Sequence, residues 1–405
     1  MTRSNLFISL VCLAVLATTS GASADTYGTV SGTLGFYQNQ GSYCPSDEDC
    51  VGSRYTESAY NTYQPVRNVR VYINGANGSQ IGDGCTDDNG VFSVPWYSST
   101  SDTQASLVWS AEHCDSRVAI RSGSGNTFVM WTPNKAISNG RPTNWGTMNW
   151  GSPNAAHAIA NVYDGAERTW RDSLQYANRL LTYFNNVEVR AFSSACSTSC
   201  YQESTNRVLL DTAPDTPYVY SPRIAHELGH AASRFASREQ RSKVCGDYSF
   251  GGSGGWSYDS SEWSCAAFEE GVATWFGDVS RFWYNATSPT TCFSMGGCVP
   301  DPDKNIETSS GSSCASGSDR SMINNLRFIW DIYDVANDGE TVAEHYSYVT
   351  DGLFYFTVGT ANRQRDEDEV DLDGRSAFDY RMNYFSNRSV SVFTPWNNNC
   401  QLVGD

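Results

Sequence analysis

The chain has only 5 histidines in 405 residues, so two of them at a spacing set by a helix carry chemical weight. Basic residues are scarce as well, 27 Lys and Arg against 44 Asp and Glu, and a net charge of −17 argues against the positive surface that nucleic acid requires. No stretch approaches the roughly 20 apolar residues of a bilayer-spanning helix, which leaves no candidate membrane span. The cysteines lack a repeated C-x2-C spacing, which argues against a zinc site built on thiolates.

What is present points to export. Met1 to Ala24 has a basic start at Arg3, an apolar run from Leu6 to Ala17 and small residues at Ala22-Ser23-Ala24, the pattern of a secretory signal peptide. The expected location is therefore secreted and extracellular. With Cys12 inside that segment an even number of the 13 cysteines remains, and disulfides are their expected use in an oxidising compartment. Cys44 with Cys50, Cys196 with Cys200 and Cys292 with Cys298 would each pin a polar loop, although connectivity does not follow from spacing. Only 18% of residues are charged, against 12 Trp, 23 Tyr and 34 Gly, which suits an aromatic-rich globular protein with many turns, and the length suggests two domains.

From Tyr27 to about Pro133 the pattern is β. Val30, Leu34 and Phe36 are followed by Val69, Val71 and Ile73, then by Val91 to Trp96, Leu107 to Trp109, Val118 to Ile120 and Thr127 to Trp131. Short strands at this spacing predict a small all-β sandwich over residues 25–133. Thr86-Asp87-Asp88-Asn89-Gly90-Val91-Phe92 reads as a hairpin turn in which Asn89-Gly90 supplies the positive φ angles. Together with Pro65-Val66-Arg67-Asn68-Val69-Arg70-Val71 it resembles the carboxypeptidase regulatory-like, transthyretin-like fold. The resemblance implies an accessory domain without catalysis of its own, within which Cys44, Cys50, Cys85 and Cys114 can close. Residues 134–154, rich in Asn, Gly, Ser and Pro and without a period, are the expected linker.

The second domain is expected over residues 155–405. Ala155 to Tyr183 has a helical pattern that can break at Asp164-Gly165, and His157 near its start reads as a packed or capping residue rather than a ligand. Val187 to Phe192 and Arg207 to Asp211 read as strands. Next comes His226-Glu227-Leu228-Gly229-His230. On a helix, residues four apart share a face, so both imidazoles can bind one tetrahedral Zn²⁺ while Glu227 stands beside its open position as a base. Ser221 as a cap, Pro222 in the first turn and the apolar stripe Ile224, Leu228, Ala231, Ala232 and Phe235 support a half-buried helix. A third ligand must come from elsewhere, since the metzincin continuation, a His six residues further on, is replaced by Ala236.

Residues 261–277 supply the candidate. Cys265, Phe268, Val272, Trp275, Phe276 and Val279 share a broad apolar helix face, with Glu269 at its edge. Glu270 lies among Ala266, Ala273 and Gly277, small residues that would let another helix approach, which favours Glu270 as the ligand and leaves Glu269 as the alternative. Here the chain resembles the gluzincin metallopeptidases, and Glu270-Gly271-Val272-Ala273-Thr274-Trp275-Phe276-Gly277 is similar to the ligand helix of the thermolysin-like group. The resemblance implies a zincin-like fold, hence an α+β protein overall, with His226, His230 and Glu270 on the metal and Glu227 as catalytic base. It departs from the group at Thr274, where an Asp usually orients a zinc-bound His, and in the Gly-rich stretch Gly246 to Gly255 between Cys245 and Cys265.

The resemblance implies a zinc-dependent endopeptidase acting on protein or peptide substrates, with a strand ahead of the zinc helix bordering the cleft and pairing with substrate backbone. His345 and Tyr380 are the candidate oxyanion donors. Two rivals remain: a non-catalytic secreted binding module on the same scaffold, against which the intact Glu227 argues, and a zinc hydrolase acting on a non-peptide bond. Met322 to Tyr333 predicts an amphipathic helix whose Asp331 and neighbouring Asp334 are structural. Glu369, Asp371 and Asp373 match the first, third and fifth positions of a Ca²⁺ loop, but Tyr380 stands where its bidentate Glu belongs, so a solvated acidic loop competes with calcium. Sequons lie at Asn77, Asn285 and Asn387.

Overall fold

The structure is a computed structural model that describes residues 25–37, 63–150, 155–172, 187–191, 193, 195–196, 199–210, 221–237, 264–282, 306, 321–334 and 349. The N-terminal part consists of β1 (Thr26–Tyr37), β2 (Tyr63–Pro65), β3 (Val69–Gly75), β4 (Gln80–Cys85), β5 (Val91–Ser98), β6 (Gln104–His113), β7 (Val118–Ser122), β8 (Val129–Trp131), β9 (Lys135–Ala136) and β10 (Pro142–Asn149). There follow α1 (Ala155–Asp172), β11 (Val187–Ala191), β12 (Cys200–Gln202), a 3-10 turn at Glu203–Thr205, β13 (Arg207–Leu209), α2 (Ser221–Ser237), α3 (Ser264–Arg281) and α4 (Met322–Tyr333). The protein is thus α+β, with a strand-rich N-terminal part. No helix among the described residues is long and apolar enough to cross a membrane.

Side-chain alternation builds the first layers. β5 turns Phe92, Val94 and Trp96 inward and leaves Val91 and Tyr97 exposed, while β3 buries Val69, Val71 and Ile73. One sheet holds β10, β1, β2 and β5, with β1 antiparallel to β5 from Thr26↔Ser98 to Thr33↔Val91. The other runs β12-β13-β11-β7-β6-β3-β4, with β8 and β9 also on β6. A disulfide joins Cys85 at the end of β4 to Cys114 just after β6, and a second joins Cys196 to Cys200 at the start of β12.

Three local expectations change. The turn at Asp87–Gly90 has one positive φ, at Gly90 (71°), and not two. The Asp87 carboxylate accepts the Asn89 and Val91 amides, both at 2.8 Å, and after a single bridge Thr86↔Phe92 the strands part into different sheets. The turn is therefore a corner between layers, not a hairpin. Within the expected linker 134–154, residues 135–149 supply strands: β10 lies parallel to β1 from Thr29↔Pro142 to Gly35↔Asn149, and β9 pairs with β6. Most β10 side chains are partly or fully exposed, so the strand carries no apolar period. Finally, α1 runs unbroken through Asp164-Gly165, because Asp164 is buried and bonds Arg168 Nε at 2.7 Å, four residues on in the same helix.

The N-terminal layers and the helical part share one apolar core. β7 pairs in parallel with β11 over Val187↔Val118 to Ala191↔Ser122, so one sheet crosses the expected domain boundary. Trp150, fully buried, packs edge-on against Trp109 of β6 and tilted against Tyr163 of α1, with centroids 6.4 and 5.6 Å away. Removing such an indole costs about 3–5 kcal/mol, a large share of a domain's usual stability.

A polar seam joins the same parts. The Tyr163 hydroxyl donates to the Arg67 carbonyl at 2.8 Å, Arg67 pairs with Asp164 at 3.5 Å, and Asn68 Nδ2 donates to Glu167 Oε1 at 3.2 Å. Glu167 also pairs with Arg171 at 3.0 Å. Burial pushes the Glu167 carboxyl up to about 7, assisted by the Asp164 charge and opposed by Arg171, Arg67 and the Asn68 hydrogen bond.

Candidate metal centre

Two helices, with a third behind them, form the site. α2 buries Ile224, Leu228, Ala231 and Ala232, and this face holds it against the rest of the core. α3 buries Phe268, Val272, Trp275, Phe276 and Val279 and packs against both α2 and α4. Contact between α2 and α3 is at backbone distance: a Cβ added at Gly229 would stand 2.7 Å from both the Cα and the carbonyl oxygen of Ala273. On the other side of α3, a Cβ at Gly271 would lie 2.9 Å from Asn325 Cβ and 3.0 Å from Leu326 N of α4. The small residues expected to admit a neighbouring helix do so at Ala273. This close approach is what lets Glu270, on α3, reach two residues of α2.

His226 Nε2 and His230 Nε2 lie 3.1 Å apart, and Glu270 Oε2 lies 3.2 Å from the first and 3.4 Å from the second. The imidazole planes are almost perpendicular, at 89°, with centroids 4.7 Å apart, and their Nε2 atoms converge. All three residues are buried, and together they form a group that can hold a metal ion. A carboxylate at this depth is retained against a partner charge or a metal. Glu269 is equally buried but does not belong to the group, so the structure brings together Glu270 of the adjacent pair. Glu227 is buried on the same helix as both histidines.

Thr274 lies one turn beyond Glu270 on α3. Its Oγ1 is 3.0 Å from His226 Nδ1, and its hydroxyl donates to Met322 Sδ of α4 at 3.6 Å. The position where the thermolysin-like group usually has an Asp thus contacts the histidine directly through a neutral oxygen, without an intervening water. His230 Nδ1, by contrast, is buried and has no hydrogen-bond partner among the described residues. Neither the direct Thr274 contact nor the part played by Gly229 follows from the sequence pattern. The signal for Gly229 is its place between the two histidines, where only a residue without a side chain admits α3.

Among the described residues β12 is the last strand of the nine-stranded sheet, and both it and β13 pack beside α2. Asn77 lies in the exposed turn between β3 and β4. His345, Tyr380, the acidic stretch 366–374, Asn285, Asn387, Met1 to Ala24 and Cys44, Cys50, Cys292 and Cys298 lie outside the described residues. Asp331 and Asp334, expected to be structural, are buried at the end of α4.

No family model and no curated protein matches this chain. Among solved structures, a 9R-lipoxygenase from Cyanothece PCC8801 matches at 13% identity and a TM-score of 0.16, covering 39% of this chain and 25% of its own. The chain spans about a quarter of that protein, and a likeness this slight carries no argument about fold or activity.

Proposed function

We propose that the chain is a secreted zinc-dependent endopeptidase of zincin-like fold. The observation that carries this reading is the convergence of His226, His230 and Glu270 with Glu227 buried on the same helix. A tetrahedral ion with bonds of about 2.0–2.1 Å holds its ligand atoms about 3.3 Å from one another. The edges of 3.1, 3.2 and 3.4 Å support zinc in this group. Two imidazoles and one carboxylate are also a donor set that catalytic zinc sites use, leaving one position for water or substrate.

Zinc, when bound, supplies a Lewis acid that polarises the scissile carbonyl and makes water more acidic. His226 and His230 present their Nε2 atoms and Glu270 its Oε2. Glu227 takes a proton from the attacking water and returns it to the leaving amine nitrogen, so that the acid–base work of both halves of the reaction rests on one carboxyl. β12, the terminal strand of its sheet among the described residues and adjacent to α2, offers backbone groups on which an extended peptide can be laid as a further strand.

The test is digestion of an unfolded protein by the secreted, full-length chain. Cleavage should stop on addition of a zinc chelator and resume when zinc is restored. Cleavage that continues unchanged in the chelator would overturn the reading.

A further inference from the structure

We propose that Thr274 is the positioning residue for the metal ligand His226, holding its ring in the tautomer and orientation that direct Nε2 toward the metal; the inference rests on the zinc reading above. An imidazole can bind a metal through Nε2 only when its remaining ring proton is on Nδ1. Whether Nδ1 carries that proton depends on what faces it, and here the facing atom is Thr274 Oγ1 at 3.0 Å. A hydroxyl can donate or accept, so the contact alone does not choose the tautomer.

Met322 favours one of the two. The Thr274 hydroxyl donates to Met322 Sδ at 3.6 Å, and a thioether sulfur only accepts. With its proton directed at sulfur, the oxygen presents lone pairs to His226 Nδ1, the arrangement in which Nδ1 donates and Nε2 is left for the metal. The order is Nδ1–H to Oγ1, then O–H to Sδ, a one-way chain from α2 through α3 to α4. All three side chains are buried, so water does not compete for the hydroxyl. The contacts of Oγ1 with His226 Nδ1 on one side and Met322 Sδ on the other hold the oxygen in place.

Thr274 and Glu270 are four residues apart on α3, so one helix face supplies both a ligand and the orienter of another ligand. The orienter is neutral. It fixes the ring without adding negative charge, whereas a carboxylate at this position would also increase ligand basicity. His230 has no matching partner among the described residues, so the asymmetry predicts that α3 fixes one histidine much more firmly than the other.

The test is zinc affinity of the full-length protein, measured by competition with a chromophoric chelator for wild type, Thr274→Val and Thr274→Ser. Valine keeps the shape and removes the hydroxyl, so the dissociation constant should rise about 10–100-fold, the usual effect of losing an orienting partner. Serine should restore affinity to within a few-fold of wild type. Wild-type affinity in Thr274→Val, or equal weakness in Thr274→Val and Thr274→Ser, overturns the inference while leaving the metal site standing. A wild type that binds no zinc defeats the zinc reading itself.

Discussion

Gly229 meets Ala273 with no room for a side chain between them: a Cβ on Gly229 would stand 2.7 Å from the Ala273 Cα. Because the obstacle is backbone, it cannot swing aside as a side-chain tip would. Gly229→Ala must therefore push α3 from α2, and Glu270 moves with α3. The expected result is destabilisation of about 1–3 kcal/mol, typical of overpacking, together with weaker zinc binding. Denaturant unfolding and a zinc titration check both, and an unchanged zinc affinity would show that the helix spacing does not control the site.

Glu269 and Glu270 provide an internal control, being adjacent and equally buried, with only Glu270 in the group with His226 and His230. Glu270→Ala is expected to lose stoichiometric zinc, as removal of a ligand carboxylate should, while Glu269→Ala keeps it. Metal analysis of the two purified variants decides. Loss of zinc in Glu269→Ala with retention in Glu270→Ala would reverse the assignment.

Much of the site is legible in the sequence alone. The histidine pair, the Glu227 beside it and the small-residue face of α3 are local patterns, and local patterns survive folding. α4 begins and ends where its apolar period predicts, at Met322 and Tyr333, and Ser321 caps it by accepting the Asn324 amide. β10 is not legible, because its side chains largely face solvent and its order comes from backbone bonds to β1, which leave no trace in hydrophobic period. The β7–β11 pairing is hidden for a related reason: it joins Val118 to Val187 across 68 intervening residues, and a parallel partner at that distance has no sequence signature. Thr274 is visible as a departure from a carboxylate, but its contact with His226 depends on how closely two helices lie.

The shared sheet changes what separation of the two parts should do. A fragment beginning at residue 151 would leave β11 without its parallel partner β7 and strip Arg67 and Asn68 from the buried Asp164 and Glu167. It would also lose Trp150, which packs on Tyr163. The fragment is expected not to fold, by circular dichroism and cooperative unfolding, and limited proteolysis of the intact protein should spare β10. A fragment that folds and binds zinc would contradict this.

Glu167 makes stability depend on pH. Its folded carboxyl is raised from 4.5 to about 7, so the folded state holds a proton that the unfolded chain has released. That stabilisation is fully present below pH 4.5 and is lost as pH rises through about 7. Glu167→Gln, neutral at every pH, should therefore gain stability relative to wild type between pH 5 and pH 8. Unfolding free energies at the two values test this, and a wild-type-to-variant difference that does not change with pH would contradict it.

The most direct measurement is the rate at which zinc-loaded Glu227→Gln cleaves an unfolded protein, against zinc-loaded wild type. Glutamine keeps the shape of the side chain and cannot take a proton, and residue 227 is outside the His226, His230 and Glu270 group, so zinc should remain bound. Turnover should fall on the order of 10²-fold or more. Wild-type cleavage by the variant would contradict the assignment of Glu227 as the base of a zinc peptidase.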